Sequence, residues 1–556
     1  MSRASVSAAV GSGHDSAAGS GRSGGLPVSP EWDVLVVGAG FAGLYALHRL
    51  RAQGLRVRVL EAGDDVGGTW YWNRYPGARC DVQSMEYSYS FDEGLQNEWE
   101  WTERFATQPE ILNYIEHVAN RLDLRKDITF GVRVASAEFD ENGSRWTVRA
   151  TDGTTTTARF VVMATGCLSS ARVPDFVGLE SFGGEWYHSG DWPHEGVELE
   201  GKRVAVIGTG SSGVQLIPLV AEQAAHTTVF QRTPNFVMPA RNAPLTTEFT
   251  TDFKARYPQL REQARYAPGG ILRNLREQSA LDETPEQRQS RYEMHWESGG
   301  PDIVGAYGDL LRNAESNETL AEFIRGKIAQ IVTDPERAAL LSPHYAVGAK
   351  RIALGTDYYE TYNRDDVALV DVASAPLERI TATGIKTADA EYEFDVIVFA
   401  TGFDAMTGAL LRVDFRGENG VTLQEKWHAG PRTLLGVATA GFPNLFTVTG
   451  PGSPSVISNV LMSVEQHVEW ITDYIEYLTV RGHTYAAADV ADEDDWVQQV
   501  QDAAADTLYL TANSWYLGAN VPGKPRVFMP YVGGVGNFRR HCEKVAANGY
   551  EGFVSH

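Results

Sequence analysis

The sequence predicts an α/β fold built on two Rossmann-like dinucleotide-binding domains with a helical insertion, and three observations predict it. An apolar run of strand length, Asp33-Val-Leu-Val-Val37, passes directly into Gly38-Ala-Gly40-Phe-Ala-Gly43 and then into a helical stripe of Leu44, Leu47 and Leu50. The same order returns at Arg203-Val-Ala-Val-Ile207, followed by Gly208-Thr209-Gly210-Ser211-Ser212-Gly213 and an apolar helix. An apolar strand running into Thr-Gly also occurs twice, at Ala164-Thr165-Gly166 and at Ala400-Thr401-Gly402.

The chain has 556 residues, enough for two or three domains. Its formal net charge of -24 opposes binding to polyanions, so nucleic acid and anionic membrane surfaces are not expected partners. No run approaches the roughly twenty apolar residues of a membrane helix. Cys80, Cys167 and Cys542 lie far apart, with neither a CxxC pair nor metal-ligand spacing. This usage suits a reducing compartment, so a cytoplasmic location and no metal are expected. Residues 1–30 are rich in Ser, Gly and Ala and lack the apolar core of a signal peptide, which predicts a disordered N-terminal tail.

In the first unit the glycines serve a tight turn, close approach of backbone to pyrophosphate, and tight helix packing. A second strand, Arg56 to Leu60, ends in Glu61, which stands 21 positions after Gly40 and at the right distance to reach a ribose hydroxyl. The next segment, Gly67-Gly68-Thr69-Trp70-Tyr-Trp72-Asn-Arg-Tyr75-Pro76-Gly77-Ala-Arg79-Cys80-Asp81, is aromatic and punctuated by Gly and Pro. It reads either as a structural loop or as a wall over a flat ring system, with Asp81 a buried carboxylate that needs a cation. Met85, Tyr87 and Tyr89 alternate beyond it. A helix is expected from Phe105 to Leu122, and strands from Ile128 to Val134, Trp146 to Ala150 and Ala158 to Met163.

Between the two units lies Phe182-Gly-Gly184-Glu-Trp-Tyr-His188-Ser-Gly-Asp-Trp192-Pro193. No helical or strand period survives in it, so it reads as a loop. Its aromatics and His188 suit either a packed linker or a joint that controls how two cofactor domains meet. In the second unit, strand Thr228-Val229-Phe230 ends in Gln231-Arg232 where the first ends in an acid. An acid repels a 2′-phosphate and an arginine accepts one, so the first site is read for FAD and the second for NADPH.

Residues 246–341 are charged and helix-periodic, which predicts the insertion. Lys350 and Arg351 follow Gly348; they read as a solvated pair or, for Lys350, as a phosphate contact. Gly450-Pro-Gly-Ser-Pro-Ser455-Val456-Ile457-Ser458-Asn459-Val460 precedes a long helix from about Met462 to Leu478, where a turn can press amides onto a flavin edge. Asn513 to Gly523 is a polar, aromatic loop that can act as a lid. The expected division is an FAD-binding domain over 31–167 and 404–556 and an NADPH-binding domain over 168–403.

Taken together, Phe182-x-Gly184-x-x-x-His188-x-x-x-Trp192-Pro193 between two GxGxxG motifs, and Gly68-x-Trp70-x-x-x-x-Tyr75-Pro76-Gly77-x-x-x-Asp81, resemble the signatures of type I Baeyer–Villiger monooxygenases. Phe230 to Pro234, Trp515 to Asn520 and Lys524 to Met529 resemble the phenylacetone and steroid monooxygenase branch. The likeness runs from about Asp33 to the C-terminus. It implies an FAD- and NADPH-dependent enzyme that inserts one oxygen atom of O2 beside a ketone carbonyl, through a C4a-peroxyflavin, to give an ester or lactone. It further implies Arg351 as the cation beside the peroxide and Asp81 as its buried partner.

The same resemblance implies FAD contacts from Gly38, Gly40, Gly43, Glu61, Gly68, Thr69, Trp70, Asp81, Tyr87 and Val134. NADPH would be held by Gly208, Thr209, Gly210, Ser211, Ser212, Gly213, Arg232 and Lys350, with Trp515 closing over the nicotinamide. Ser455, Val456, Ile457 and Val460 would line the substrate pocket, and His188 and Trp192 would couple the domains. The expected partners are a small ketone and O2, acting on a monomer. Two other readings stay open at this point: a flavin monooxygenase of amines or sulfides, and a non-catalytic flavoprotein that senses NADPH.

Overall fold

A computed structural model describes residues 32–273 and 275–556; the tail expected at 1–30 lies outside the described residues. The first sheet is built around strand Trp32–Val37, paired in parallel with Val57–Leu60 on one side and Thr155–Met163 on the other. Val34, Leu35 and Val36 have no exposed surface, because both faces of this strand are covered. That is why the sequence shows a continuous apolar run there and not an alternation. Ile128–Thr129 extends one side. On the other, Thr155–Met163 shares one edge between the antiparallel meander of Val134–Asp140 and Arg145–Ala150 and the distant strand Leu445–Thr447. Asp414–Arg416 closes that side. Helix Phe41–Ala52 lies against the long helix Val460–Arg481, where Arg49 Nε donates to Thr472 Oγ1 at 2.7 Å.

The run expected as one strand from Ile128 to Val134 is two strands, Ile128–Thr129 and Val134–Asp140. Gly131, at φ +70°, turns the chain between them. The helix expected from Phe105 begins at Gln108, where Pro109 fits the first turn, and ends at Arg121.

The second sheet has five strands, all parallel, in the order Val367–Asp371, His226–Gln231, Arg203–Ile207, Val396–Phe399 and Glu185–His188. The last of these corrects the loop reading of 182–193. Tyr187 pairs with Val398 and His188 with Phe399. An edge strand needs no apolar period: Glu185 is exposed, Trp186 is 43% exposed, and of the four residues only His188 is buried.

Between the short paired strands Val237–Pro239 and Ala353–Gly355 the chain forms helices Thr247–Ala255, Tyr257–Tyr266, Pro285–Ser298, Ala314–Ile331 and Pro335–Leu340. Thr284 and Gln287 form a capping box that starts the third. Tyr292, Trp296, Leu320 and Ile324 share one hydrophobic core with Val206 and Val214 of the second unit.

The chain passes between the two sheets twice, and the two passages are bonded to each other. Met406 N donates to Cys167 O at 2.8 Å, Asp404 N to Ser170 O at 2.9 Å, and Arg172 N to Gly402 O at 3.2 Å.

Candidate active site

A cavity of about 1780 Å³ lies where the two units meet, and residues of both glycine motifs line it. Its size exceeds the roughly 300–1,000 Å³ of a site for one small ligand.

In the first cradle Gly38 has φ +104°, and a Cβ there would meet Ala164 O at 2.7 Å. A Cβ on Gly43 would meet Gly38 O at 1.8 Å, and one on Gly68 would meet Gly40 Cα at 2.9 Å. Helix Phe41–Ala52 starts from Gly40 with no side-chain cap and no acid in its first turn, so its amides are open to an anion. Glu61 is 5% exposed; its carboxylate accepts from Ala39 N at 2.6 Å and Gly63 N at 2.7 Å, and it lines the cavity with lone pairs to spare. Trp70 Nε1 donates to Tyr87 OH at 3.2 Å, with the rings edge to face at 5.9 Å. Thr69 and Val134 line the same stretch. These residues fit FAD.

The second cradle repeats the first. Gly208 has φ +112°, and a Cβ there would meet Ala400 O at 2.4 Å; a Cβ on Gly213 would meet Gly208 O at 2.2 Å. Each Ala-Thr-Gly strand end therefore backs the first glycine of its own motif. Helix Ser211–Gln223 also starts uncapped and without acid. Thr209 Oγ1 donates to Thr233 O at 3.0 Å. Lys350 Nζ sits 4.6 Å from the centre of the Tyr345 ring. Burial, and then the charge of Arg232, lower the Lys350 pKa. Neither cation has a carboxylate within ion-pair distance among the described residues, so a phosphate dianion would relieve their repulsion. The second cradle fits NADPH.

Between the cradles stands Arg351. Its Nε donates to Asp81 Oδ2 at 2.7 Å and its Nη2 to Asp81 Oδ1 at 2.8 Å, while Nη1 donates to the carbonyl of Val456 at 2.6 Å. The two side chains are 30% and 24% exposed, and both line the cavity. The Asp81 charge raises the Arg351 pKa against the cost of burial. Burial pushes the Asp81 carboxyl up, but the charge and hydrogen bonds of Arg351 outweigh it and hold the pKa below the usual value. The pair is therefore ionised, and the guanidinium plane is fixed along three bonds.

Gly43 and Gly213 lie beneath the cradles and not on the cavity wall. Val456 and Val460 line the cavity, whereas Ile457 does not. Ser455 is corrected more sharply: it has no exposed surface and lies behind the wall, 3.2 Å from Cys167 Sγ. His188 is 3% exposed on the lining, with Nδ1 accepting from Gly190 N at 2.9 Å. Trp192 is a core residue, 4% exposed beside Tyr187, and does not line the cavity. Trp515 lines it from a short 3-10 turn. The loop that carries Trp515 is held where Asn520 Nδ2 donates to Phe403 O at 2.7 Å and Arg172 Nη1 to Asn520 O at 3.0 Å.

Three contributors carry no local sequence signal of their own: Tyr345 under Lys350, the Val456 carbonyl, and Gln215. Tyr75 OH donates to Gln215 Oε1 at 2.8 Å, and Gln215 Nε2 donates to Arg79 O at 3.1 Å. The one clue was Gly77, where a Cβ would meet Gln215 O at 2.5 Å, marking a close backbone approach between the units.

Residues 32–259 match the model of the flavin-binding monooxygenase-like family. A Baeyer–Villiger monooxygenase of Pseudooceanicola batsensis is 41% identical over 531 residues, covering 95% of this chain and 97% of that protein. Among solved structures, oxidised steroid monooxygenase bound to NADP matches with a TM-score of 0.90 at 50% identity, over 95% of this chain and 99% of the other. OTEMO in complex with FAD and NADP matches with a TM-score of 0.92 at 42% identity, over 94% and 99%.

Proposed function

Because the chain belongs to the Baeyer–Villiger monooxygenases of the flavin-binding monooxygenase family, we propose that Arg351 and Asp81 are the catalytic pair of its ketone oxygenation. The enzyme uses FAD and NADPH to insert one oxygen atom of O2 beside a ketone carbonyl, giving an ester or lactone. Bound FAD, reduced by NADPH, supplies the activated oxygen.

The observation that carries the residue assignment is the bidentate hydrogen-bonded ion pair of Arg351 and Asp81 on the wall of a cavity shared by both cradles. Arg351 holds positive charge at a fixed place where negative charge develops on oxygen as the carbonyl is attacked. Arginine suits this because it stays protonated throughout. Asp81 orients it and balances its charge. Arg232 and Lys350 bind the NADPH phosphate, and Trp515 covers the nicotinamide side. Val456 and Val460 present apolar walls to the substrate, which favours an apolar ketone.

His188, on the edge strand of the second sheet, and Trp192, in the core beside it, couple movement of the units to NADPH binding. The FAD-binding domain is 31–167 with 404–556, and the NADPH-binding domain is 168–403 with its helical insertion at about 246–341. One chain supplies Arg351, Asp81 and the Val456 carbonyl together, which supports a working monomer; sedimentation of the holoenzyme checks this. The acidic charge and low cysteine use support a cytoplasmic enzyme with no nucleic-acid partner. A panel of aryl, cyclic and steroid ketones, run beside a thioether and an amine and read by product mass, tests the reading. Ester or lactone from at least one ketone is expected. Oxide products alone would replace it with amine or sulfide oxygenation.

A further inference from the structure

We propose that Ser455 is a positioning residue that sets the catalytic arginine through the carbonyl of its neighbour Val456. The inference rests on the assignment of Arg351 made above. Ser455 is fully buried and carries φ +42°, left-handed backbone that a side chain with Cβ rarely adopts. Two more residues in such backbone lie close by, Thr449 at +54° and Met406 at +67°. Ser455 Oγ lies 3.2 Å from Cys167 Sγ and donates to Met406 Sδ at 3.6 Å; Thr449 Oγ1 lies 3.7 Å from that Sγ. Strained backbone persists where its surroundings over-determine it.

What this arrangement presents to the cavity is the next peptide. The Val456 carbonyl accepts Arg351 Nη1 at 2.6 Å, the one of the three guanidinium bonds that Asp81 does not supply. Asp81 alone fixes the pair as a fork, about whose axis the guanidinium can still rock. The Val456 oxygen removes that freedom. Ser455 Oγ is thus anchored on one side by sulfur and connected on the other, through a single peptide, to the group that faces the reacting oxygen. The far side of the turn is closed by Ser458 Oγ, which donates to Ser455 O at 2.8 Å.

The test compares holoenzyme Ser455→Ala, Cys167→Ala and Cys167→Ser with the parent protein and with Arg351→Ala. Flavin content and the rate of flavin reduction by NADPH should be unchanged in the Ser455 and Cys167 variants. For Ser455→Ala and Cys167→Ala, kcat for ester should fall about threefold to tenfold with KM for the ketone held, as expected for one lost hydrogen bond. Hydrogen peroxide released per NADPH should rise to match. Cys167→Ser, which puts a hydroxyl in place of the thiol and can still hydrogen-bond Ser455 Oγ, should restore the ratio of ester to NADPH. Parent-like coupling in Ser455→Ala, or a change in KM alone, overturns the proposal, as does loss of flavin from both alanine variants. The control separates the two claims. Ester formed normally by Arg351→Ala would sink the catalytic assignment and this inference together. Ester abolished in Arg351→Ala but intact in Ser455→Ala would sink this inference alone.

Discussion

Replacing Arg351 by lysine keeps the charge and removes the geometry. In the structure Arg351 makes three planar bonds, two to the Asp81 carboxylate and one to the Val456 carbonyl. A lysine ammonium is a point charge on a flexible stem, and it cannot span both acceptors in one plane. It retains one contact with Asp81 and loses two bonds. A hydrogen bond to a charged group contributes about 1.5 kcal/mol at the low end, so about 3 kcal/mol of positioning is lost. Carried into the oxygen-insertion step, that is a fall of about two orders of magnitude. The assay pairs stopped-flow flavin reduction, which should be near the parent rate, with product mass for ester per NADPH consumed. An Arg351→Lys enzyme that forms ester within about threefold of the parent rate would refute the reasoning. It would mean that charge at this place is enough and that the three-point grip has no catalytic part.

Arg232→Ala should raise KM for NADPH by about tenfold to a hundredfold while KM for NADH stays nearly level, since only NADPH carries the 2′-phosphate; equal losses would show that Arg232 reads something else. His188→Ala should keep its flavin but lose coupling or its response to NADPH, measured as peroxide released per NADPH; loss of flavin would make the strand a purely structural part. The His467 imidazole is 1% exposed, accepts from Thr449 N at 3.0 Å, and has its pKa pushed down to about 3 by burial. It is neutral when folded and takes up a proton only on unfolding. Stability is therefore full above about pH 6.5 and falls as pH drops, by about 2 kcal/mol at pH 5 from this residue. His467→Asn, whose side-chain oxygen can accept the same bond, should flatten that slope in chemical denaturation at the two pH values; an unchanged slope would place the titration elsewhere.

Both cradles were legible in the sequence because their demands are local. Gly38 and Gly208 need positive φ and closeness to a carbonyl oxygen, and only glycine meets both. The acid after one second strand and the arginine after the other were equally readable, since each sits at a strand end beside its own cradle. The proposed catalytic pair was different. Asp81 and Arg351 are far apart in the chain, and a Lys-Arg dipeptide after a glycine has the composition of a solvated surface; the family pattern singled it out, not its own chemistry. Edge strand Glu185–His188 was hidden because an exposed edge erases the period that marks strands. At Ser455 the sequence indicated the place and not the direction: residues 455–457 form one turn, and which of its side chains meets the cavity depends on a backbone angle that the residue type does not disclose.

The paired passages between the sheets constrain how the molecule can work. A single connecting segment leaves its two ends free to twist as well as to bend. Two segments tied by Met406 to Cys167, Asp404 to Ser170 and Arg172 to Gly402 act as a strap of double width, stiff in torsion and compliant about one line. Both segments leave from the Ala-Thr-Gly ends that back the glycines, so bending is felt at both cradles at once. Such a strap would let the two cradles swing along one arc and would resist their twisting. The pairing would then make opening and closing of the cavity between the cradles one motion run in two directions.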